Sequence, residues 1–124
     1  MKSYTDLEQS KKLAKLLPLE SADMYYFLDP TPAGNIYHLT VQRVDVGIKN
    51  LPHYDEGDIP CWSLTALLNV LPQSVRLVGI PKDSYWYCEC VDRNNQWYAG
   101  FGSADNQIDA CYQLIEKLHE QKLL

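Results

Sequence analysis

The chain has 124 residues, of which 46% are hydrophobic and 22% are charged. This length predicts one domain, and the composition excludes an intrinsically disordered tail. The formal net charge of −5 argues against a broad nucleic-acid surface, because phosphate neutralisation needs clustered cations. The apolar runs are too short for a membrane-spanning helix, and the N-terminus turns polar at once, which is untypical of an export signal. We therefore expect a cytoplasmic protein with reduced cysteines.

The N-terminal part of the chain predicts a helix, a loop and a strand. Thr5-Asp6-Leu7-Glu8 has the pattern of a capping box, and a leucine stripe follows it until Pro18 ends the helix. Residues 29–35 contain two prolines and a Gly-Asn pair, so we expect a loop there. Apolar and polar residues alternate from Tyr37 to Val41, which predicts a strand with one exposed face.

The middle of the chain predicts a second helix followed by strands. Leu51–Asp58 is acidic and contains Pro and Gly, which is typical of a surface loop. A leucine pattern between two prolines predicts a short helix over Leu64–Leu71. Val75–Ile80 is a predicted strand. Tyr85–Asp92 and Gln96–Phe101 are predicted to pair as a hairpin, because Asn residues between them tolerate the turn conformation.

The last segment predicts an amphipathic helix from Asn106 onwards. Asn106 can cap this helix, and Asp109 lies near its positive end. Apolar residues recur on one stripe at helical spacing: Ile108, Cys111, Tyr112, Ile115 and Leu118. That stripe needs a sheet or another helix to cover it. The element order therefore predicts a single α+β domain over residues 1–124, with an antiparallel sheet of about three to five strands and helices packed on it.

Cys88 and Cys90 form the closest pair of potential metal ligands. Because they are two residues apart on a strand, they share one face of the sheet with Trp86. Structural zinc sites prefer cysteine pairs in loops with a longer spacing, where both sulfurs can converge. Free cysteine also packs as a small hydrophobic residue. We therefore interpret this face as core and predict no metal site.

No catalytic or cofactor-binding residue is predicted either. The three histidines are scattered, without the helical pair that would hold a metal: they are His38, His53 and His119. The acidic residues of the Leu51–Asp58 loop lack the alternating oxygen pattern of a calcium loop. The chain has no phosphate-binding glycine motif and no serine in a nucleophile elbow. A small enzyme with an unrecognised site of Cys, His and carboxylate groups stays an alternative.

The aromatic residues of the predicted hairpin indicate an interaction surface. If Trp86 points inward with the cysteines, Tyr85 and Tyr87 point outward beside Glu89. Tyrosine is enriched at protein interfaces. Two alternatives are packing beneath a helix and a base-stacking platform, although acidic residues on the hairpin disfavour the platform. The predicted interface consists of four residues: Tyr85, Tyr87, Glu89 and Tyr98.

Three blocks of the chain have a familiar pattern: Thr5–Leu17 leading into Ser21–Tyr26, then Ile59–Leu64, and Ala104–Asn106 with Asp109–Cys111. Together they resemble a set of small uncharacterised proteins of gut-bacterial genomes and their prophages. The resemblance covers most of the chain and implies a phage or mobile-element association, but it implies no catalytic residue. These observations together predict a non-enzymatic protein that acts by protein–protein interaction or self-association, without nucleic acid, membrane or cofactor.

A second resemblance concerns Tyr85–Leu118 alone. Its hairpin and amphipathic helix are similar to the end of a double-stranded-RNA-binding domain or of HicB-like antitoxins. RNA binders of this kind carry a lysine cluster at the start of the last helix, where this chain has Asp105, Asn106 and Asp109. The resemblance therefore implies the topology, and a nucleic-acid-binding module is the alternative function.

The purified protein is expected to contain no stoichiometric metal. The reason is the spacing of Cys88 and Cys90 on a strand, with no second cysteine pair at a ligand interval. Elemental analysis of protein prepared without chelators measures this directly. Zinc at close to one ion per chain would contradict the prediction.

Overall fold

The structure is a computed structural model. It describes residues 2–41, 58–72, 74–80, 85–91, 98–122 and 124, without the side chains of residues 40, 41, 91 and 98–100. The chain forms two compact units. The N-terminal unit is Tyr4–Ala66, and the C-terminal unit is Leu67–Leu124 together with Met1–Ser3. Within the described ranges, no helix combines the length and the apolar character needed to span a membrane.

The described elements alternate between helices and antiparallel strands. The helices are α1 (Leu7–Leu13), α2 (Leu64–Val70) and α3 (Gln107–Glu120), with a 3-10 helix at Leu19–Ser21. The strands are β1 (Met24–Thr31), β2 (Gly34–Val41), β3 (Ile59–Cys61), β4 (Val75–Ile80), β5 (Tyr85–Val91) and β6 (Tyr98–Ala104). They pair as two three-stranded sheets, in the orders β2-β1-β3 and β4-β5-β6. The predicted α+β class, antiparallel pairing and C-terminal helix are confirmed. The single domain over residues 1–124 stays a prediction.

Helix α1 begins one residue later than its sequence predicts and ends at Leu13, before the predicted end at Pro18. Asp6 is the N-cap: its carboxylate accepts from the Gln9 amide at 2.8 Å, and the Gln9 side chain accepts from the Asp6 amide at 3.1 Å. The predicted capping box at Thr5 is therefore wrong, because Asp6 and Gln9 meet the same spacing rule. Thr5 is fully buried, and its hydroxyl bonds to Ser10 at 2.8 Å and accepts from the Trp62 amide at 3.1 Å.

The hairpin of the N-terminal unit corrects the predicted loop over residues 29–35. Strand β1 continues to Thr31, and a two-residue turn leads into β2 at Gly34. Pro30 fits in the strand because β3 pairs with β1 only at its start, from Met24 to Tyr26. At Pro30, β1 pairs with β2 along one edge. Proline has no amide hydrogen to donate, so it is tolerated where the strand needs no hydrogen-bond donor.

Two buried side chains flank β3: Asp58 precedes the strand and Trp62 follows it. Asp58 is only 6% exposed, and its carboxylate accepts from the Leu28 amide at 2.9 Å, so the expectation of an exposed acidic residue is wrong there. The rest of that predicted loop, residues 51–57, lies outside the described residues. Trp62 is fully buried, and its indole donates to the Ser21 hydroxyl at 2.9 Å. A buried carboxylate and a buried indole both need such partners.

The C-terminal unit follows the predicted pattern closely. Strand β4 has the predicted bounds, and β5 and β6 form the predicted hairpin, although its turn lies outside the described residues and β6 extends to Ala104. Asn106 caps α3 by accepting from the Asp109 amide at 2.8 Å. All five residues of the predicted stripe on α3 are buried. The stripe therefore faces the sheet, as its spacing requires.

A close approach of backbones at Gly102 places α3 on the sheet. A Cβ atom at Gly102 would lie 2.2 Å from the carbonyl oxygen of Ala110 and 2.8 Å from the amide nitrogen of Leu114. No side chain fits in that space, so the helix rests directly on the backbone of β6. Gly102 pairs with Cys88 on β5, which brings that part of β5 under the helix as well.

We expect Ile115→Ala to lower the free energy of unfolding by roughly 2–5 kcal/mol, because it leaves a cavity at a fully buried site. Chemical denaturation measures the change. Glu120→Ala on the exposed end of the same helix is the matched control and should change stability by less than about 0.5 kcal/mol. Equal midpoints for the two variants would mean that the stripe of α3 is not core.

Candidate functional site

The sheet β4-β5-β6 has one face under α3 and one face turned away from it. Cys88 lies on the helix side, where its sulfur is 3.8 Å from that of Cys111 on α3. Alternate residues of each strand must therefore point the other way. The outer face, as we call this opposite side, comprises the residues that the strand register puts there: Arg76, Val78, Ile80, Tyr85, Tyr87, Glu89, Phe101 and Ser103.

Exposed apolar side chains are concentrated on the outer face. Ile80, Tyr85 and Phe101 are 39%, 38% and 40% exposed. They account for three of the seven large apolar side chains that are exposed among the described residues. Ile80 and Tyr85 are register partners, whereas Phe101 lies opposite Glu89 and stacks on the half-buried Tyr87 between them. Scattered exposed apolar residues are ordinary, but several on one sheet face are typical of a binding surface.

The aromatic rings of the outer face are held in place by their neighbours. The rings of Tyr87 and Phe101 stack with their centroids 5.6 Å apart. Lys117, on α3, places its ammonium group 5.9 Å from the centroid of Phe101 and donates to the carbonyl oxygen of the same residue. A cation at this distance from a ring contributes a modest attraction. Ring stacking and the lysine therefore fix the orientation of Phe101.

The outer face also contains an ion pair between Arg76 and Glu89. Glu89 is only 5% exposed, and its carboxylate accepts from the Arg76 guanidinium, with a distance of 2.8 Å from Nε. Arg76 itself is largely exposed, with 66% of its side chain accessible. A buried carboxylate needs a charged or hydrogen-bonding partner, and Arg76 provides it. The negative charge of Glu89 is therefore compensated within the sheet, while the guanidinium stays open to solvent.

The structure brings three of the four predicted interface residues together. Tyr85, Tyr87 and Glu89 share the outer face, Tyr85 as an exposed residue and Glu89 as a buried one. Tyr98 belongs to β6, but its side chain lies outside the described residues. Sequence reasoning missed Phe101, which pairs with Glu89 across the hairpin. Phe101 could not be identified from the sequence, because its place beside Glu89 depends on the register of β5 and β6. The alternation of residues along a single strand does not show that register.

Ser63 and Asp23, in the N-terminal unit, have a structural role at the start of α2. The Ser63 hydroxyl donates to the Asp23 carboxylate and accepts from the Ala66 amide at 3.2 Å, which satisfies the start of α2. Cys61 is fully buried beside Thr5, and burial raises the pKa of its thiol. A thiol with a raised pKa is a poor nucleophile at neutral pH.

Cysteines and histidines do not converge in the described part of the chain. All four cysteines are buried and free, which agrees with the predicted core face at Cys88 and Cys90. His38 lies 3.2 Å from the Asp29 carboxylate on the exposed hairpin, His119 is exposed on α3, and His53 lies outside the described residues. The described residues contain no group of three His, Cys, Asp or Glu side chains that could hold a metal ion.

Comparisons with family models, with curated proteins and with solved structures give no significant match to this chain. The resemblances to gut-bacterial and prophage proteins, and to the ends of RNA-binding and antitoxin domains, therefore stay predictions.

Arg76→Met should destabilise the protein by about 1–3 kcal/mol, because it leaves the buried Glu89 carboxylate without its cation. Solvent around the guanidinium keeps the loss below that of a fully buried pair. Adding Glu89→Gln to Arg76→Met should recover most of the stability. Lys11→Met is the matched control, since Lys11 pairs with Glu8 at 3.7 Å on the surface. Equal losses in Arg76→Met and Lys11→Met, measured by urea unfolding, would contradict this account of Glu89.

Proposed function

We propose that this protein works by binding another protein through the outer face, in a non-enzymatic role. The observation that supports the proposal is that the exposed Ile80, Tyr85 and Phe101 share one face of a sheet whose other face is packed under a helix. A strand pair backed by a helix keeps such side chains in fixed positions. Fixed anchors lose little conformational entropy on binding.

The residue types of the outer face suit a protein interface. Tyrosine and arginine are the side chains that most often dominate binding energy, and a Phe ring adds a large apolar contact. Arg76 is exposed at one side of the face, and its contact with Glu89 limits its freedom. The proposed surface therefore combines apolar anchors with an oriented cation.

The charges near the outer face favour an acidic partner segment. Arg76 and Lys117 are exposed cations at its two sides, whereas the carboxylate of Glu89 is buried beneath Arg76. This local balance is opposite to the net charge of −5 of the whole chain. We therefore propose a partner that places apolar side chains over Tyr85 and Phe101 and carboxylates beside the two cations.

A cytoplasmic location is part of the same proposal. All four cysteines are free, and free thiols persist in reducing compartments.

A single-stranded nucleic acid is the second candidate for the outer face. Stacked aromatic rings such as Tyr87 and Phe101 can hold bases, and the charge of Glu89 is compensated by Arg76. Only two cations border the described face, and phosphate binding depends on more of them. Binding of a labelled oligonucleotide that weakens steeply with salt would favour this candidate over a protein partner.

The test uses peptides selected from a random display library on the unmodified protein. Tyr85→Ser/Phe101→Ser should weaken their binding at least tenfold, because it removes two exposed anchors. The selected peptides should combine aromatic or aliphatic residues with Asp or Glu. Affinities are measured by calorimetry, and unfolding by urea should show that the variant keeps its fold.

Phe27→Ser/Ile36→Ser is the matched control. These residues are 37% and 48% exposed on the hairpin of the N-terminal unit, so the control removes a similar apolar surface from another sheet. Its peptide affinities should stay unchanged. The proposal fails if both double variants bind equally well, or if Tyr85→Ser/Phe101→Ser unfolds the protein. Sedimentation velocity on the same proteins shows whether a second copy of the chain occupies the outer face instead.

A further inference from the structure

Two cysteines meet in the core of the C-terminal unit. Cys88 on β5 and Cys111 on α3 are both fully buried, and their sulfur atoms are 3.8 Å apart. They are far apart in sequence, and neither takes part in the proposed binding surface. The Cys90 thiol, by contrast, lies 3.2 Å from the Ser74 hydroxyl.

The backbone contact at Gly102 explains why two short side chains can touch across a helix–sheet interface. Gly102 is the register partner of Cys88, and α3 rests on it through Ala110 and Leu114. Cys111 follows Ala110 directly in α3. A side chain at position 102 would lift the helix and separate the two thiols.

The thiols also influence one another electrostatically. The pKa of Cys88 is raised by its hydrogen bond with Cys111 and by burial. The same hydrogen bond lowers the pKa of Cys111, because the Cys88 thiol can donate to a Cys111 thiolate.

We propose that Cys88 and Cys111 form a reversible disulfide when the protein meets hydrogen peroxide. One of the two sulfurs, as a thiolate, attacks one peroxide oxygen; the O–O bond breaks, and the hydroxide that leaves takes up the proton lost by the thiol, which gives a sulfenic acid at that cysteine. The sulfur of the second cysteine then attacks the sulfur of the sulfenic acid and forms the S–S bond, and its proton leaves with the hydroxyl group as water. Two thiols are oxidised, and one peroxide is reduced to two waters. A dithiol reductant reverses the reaction by thiol–disulfide exchange.

The crosslink would tie α3 to the central strand of its sheet. The sulfurs must approach from 3.8 Å to about 2.05 Å, which is a small movement for two side chains that already face each other. The two residues are 23 apart in sequence, so the bond restricts the unfolded chain considerably. On the loop-entropy account, the unfolding equilibrium constant should fall on the order of a hundredfold.

The experiment treats the folded, unmodified protein with hydrogen peroxide, removes the peroxide with catalase, and alkylates the remaining thiols in denaturant. The expected intact mass shows two alkylated cysteines instead of four, and dithiothreitol restores four. Peptide mapping should join Cys88 to Cys111. Urea unfolding of the oxidised protein should show a higher midpoint than unfolding of the reduced protein.

Variants identify the pair without ambiguity, since Cys88 and Cys90 lie in one tryptic peptide. Cys90→Ala and Cys61→Ala should retain the crosslink, whereas Cys111→Ala should lose it. Cleavage after Glu89 separates Cys88 from Cys90 in the unmodified chain, so mapping decides the result even if a variant folds poorly. Four alkylated cysteines after peroxide, sulfinic acids in place of a disulfide, or a crosslink that survives in Cys111→Ala would overturn the proposal.

Discussion

The packing of the C-terminal unit depends on the direct contact between α3 and the backbone of β6 at Gly102. Because no Cβ atom separates them, the helix lies closer to the sheet than ordinary side chains would allow. Its apolar stripe, with Ile115 at the centre, is buried as a result. The same contact brings Cys111 against Cys88. The absence of a side chain at Gly102 therefore sets the position of α3 and the contact between the thiols of Cys88 and Cys111.

The two faces of this sheet solve different physical problems. The helix side buries apolar and thiol groups, which need only shape complementarity. The outer face keeps Tyr85 and Phe101 exposed, yet it also holds a buried carboxylate at Glu89. Arg76 offsets the cost of that burial by its ion pair. A face that is open to a partner can thus still be rigid, because the ion pair and the ring stacking fix its side chains.

The proposed binding surface and the proposed disulfide lie on opposite sides of the same sheet. Oxidation at Cys88 and Cys111 would change the attachment of α3 without altering the chemistry of Tyr85 or Phe101. The N-terminal unit achieves its order differently, through hydrogen bonds among buried polar groups such as Thr5 and the indole of Trp62. Buried polar groups specify one arrangement because each must find its partner.

Local patterns in the sequence determined the α+β class, the bounds of β4, the Asn106 cap and the stripe of α3, because periodicity and capping act over a few residues. The same patterns wrongly predicted a first cap at Thr5, because Asp6 satisfies the same local capping rule. They also wrongly predicted a loop at residues 29–35, because the pairing of β1 with β2 is not visible in a single stretch of sequence. Only the tertiary structure decided that Glu89 is buried and that Cys88 meets Cys111. Both facts depend on strand register and helix position, which arise from contacts between residues distant in sequence.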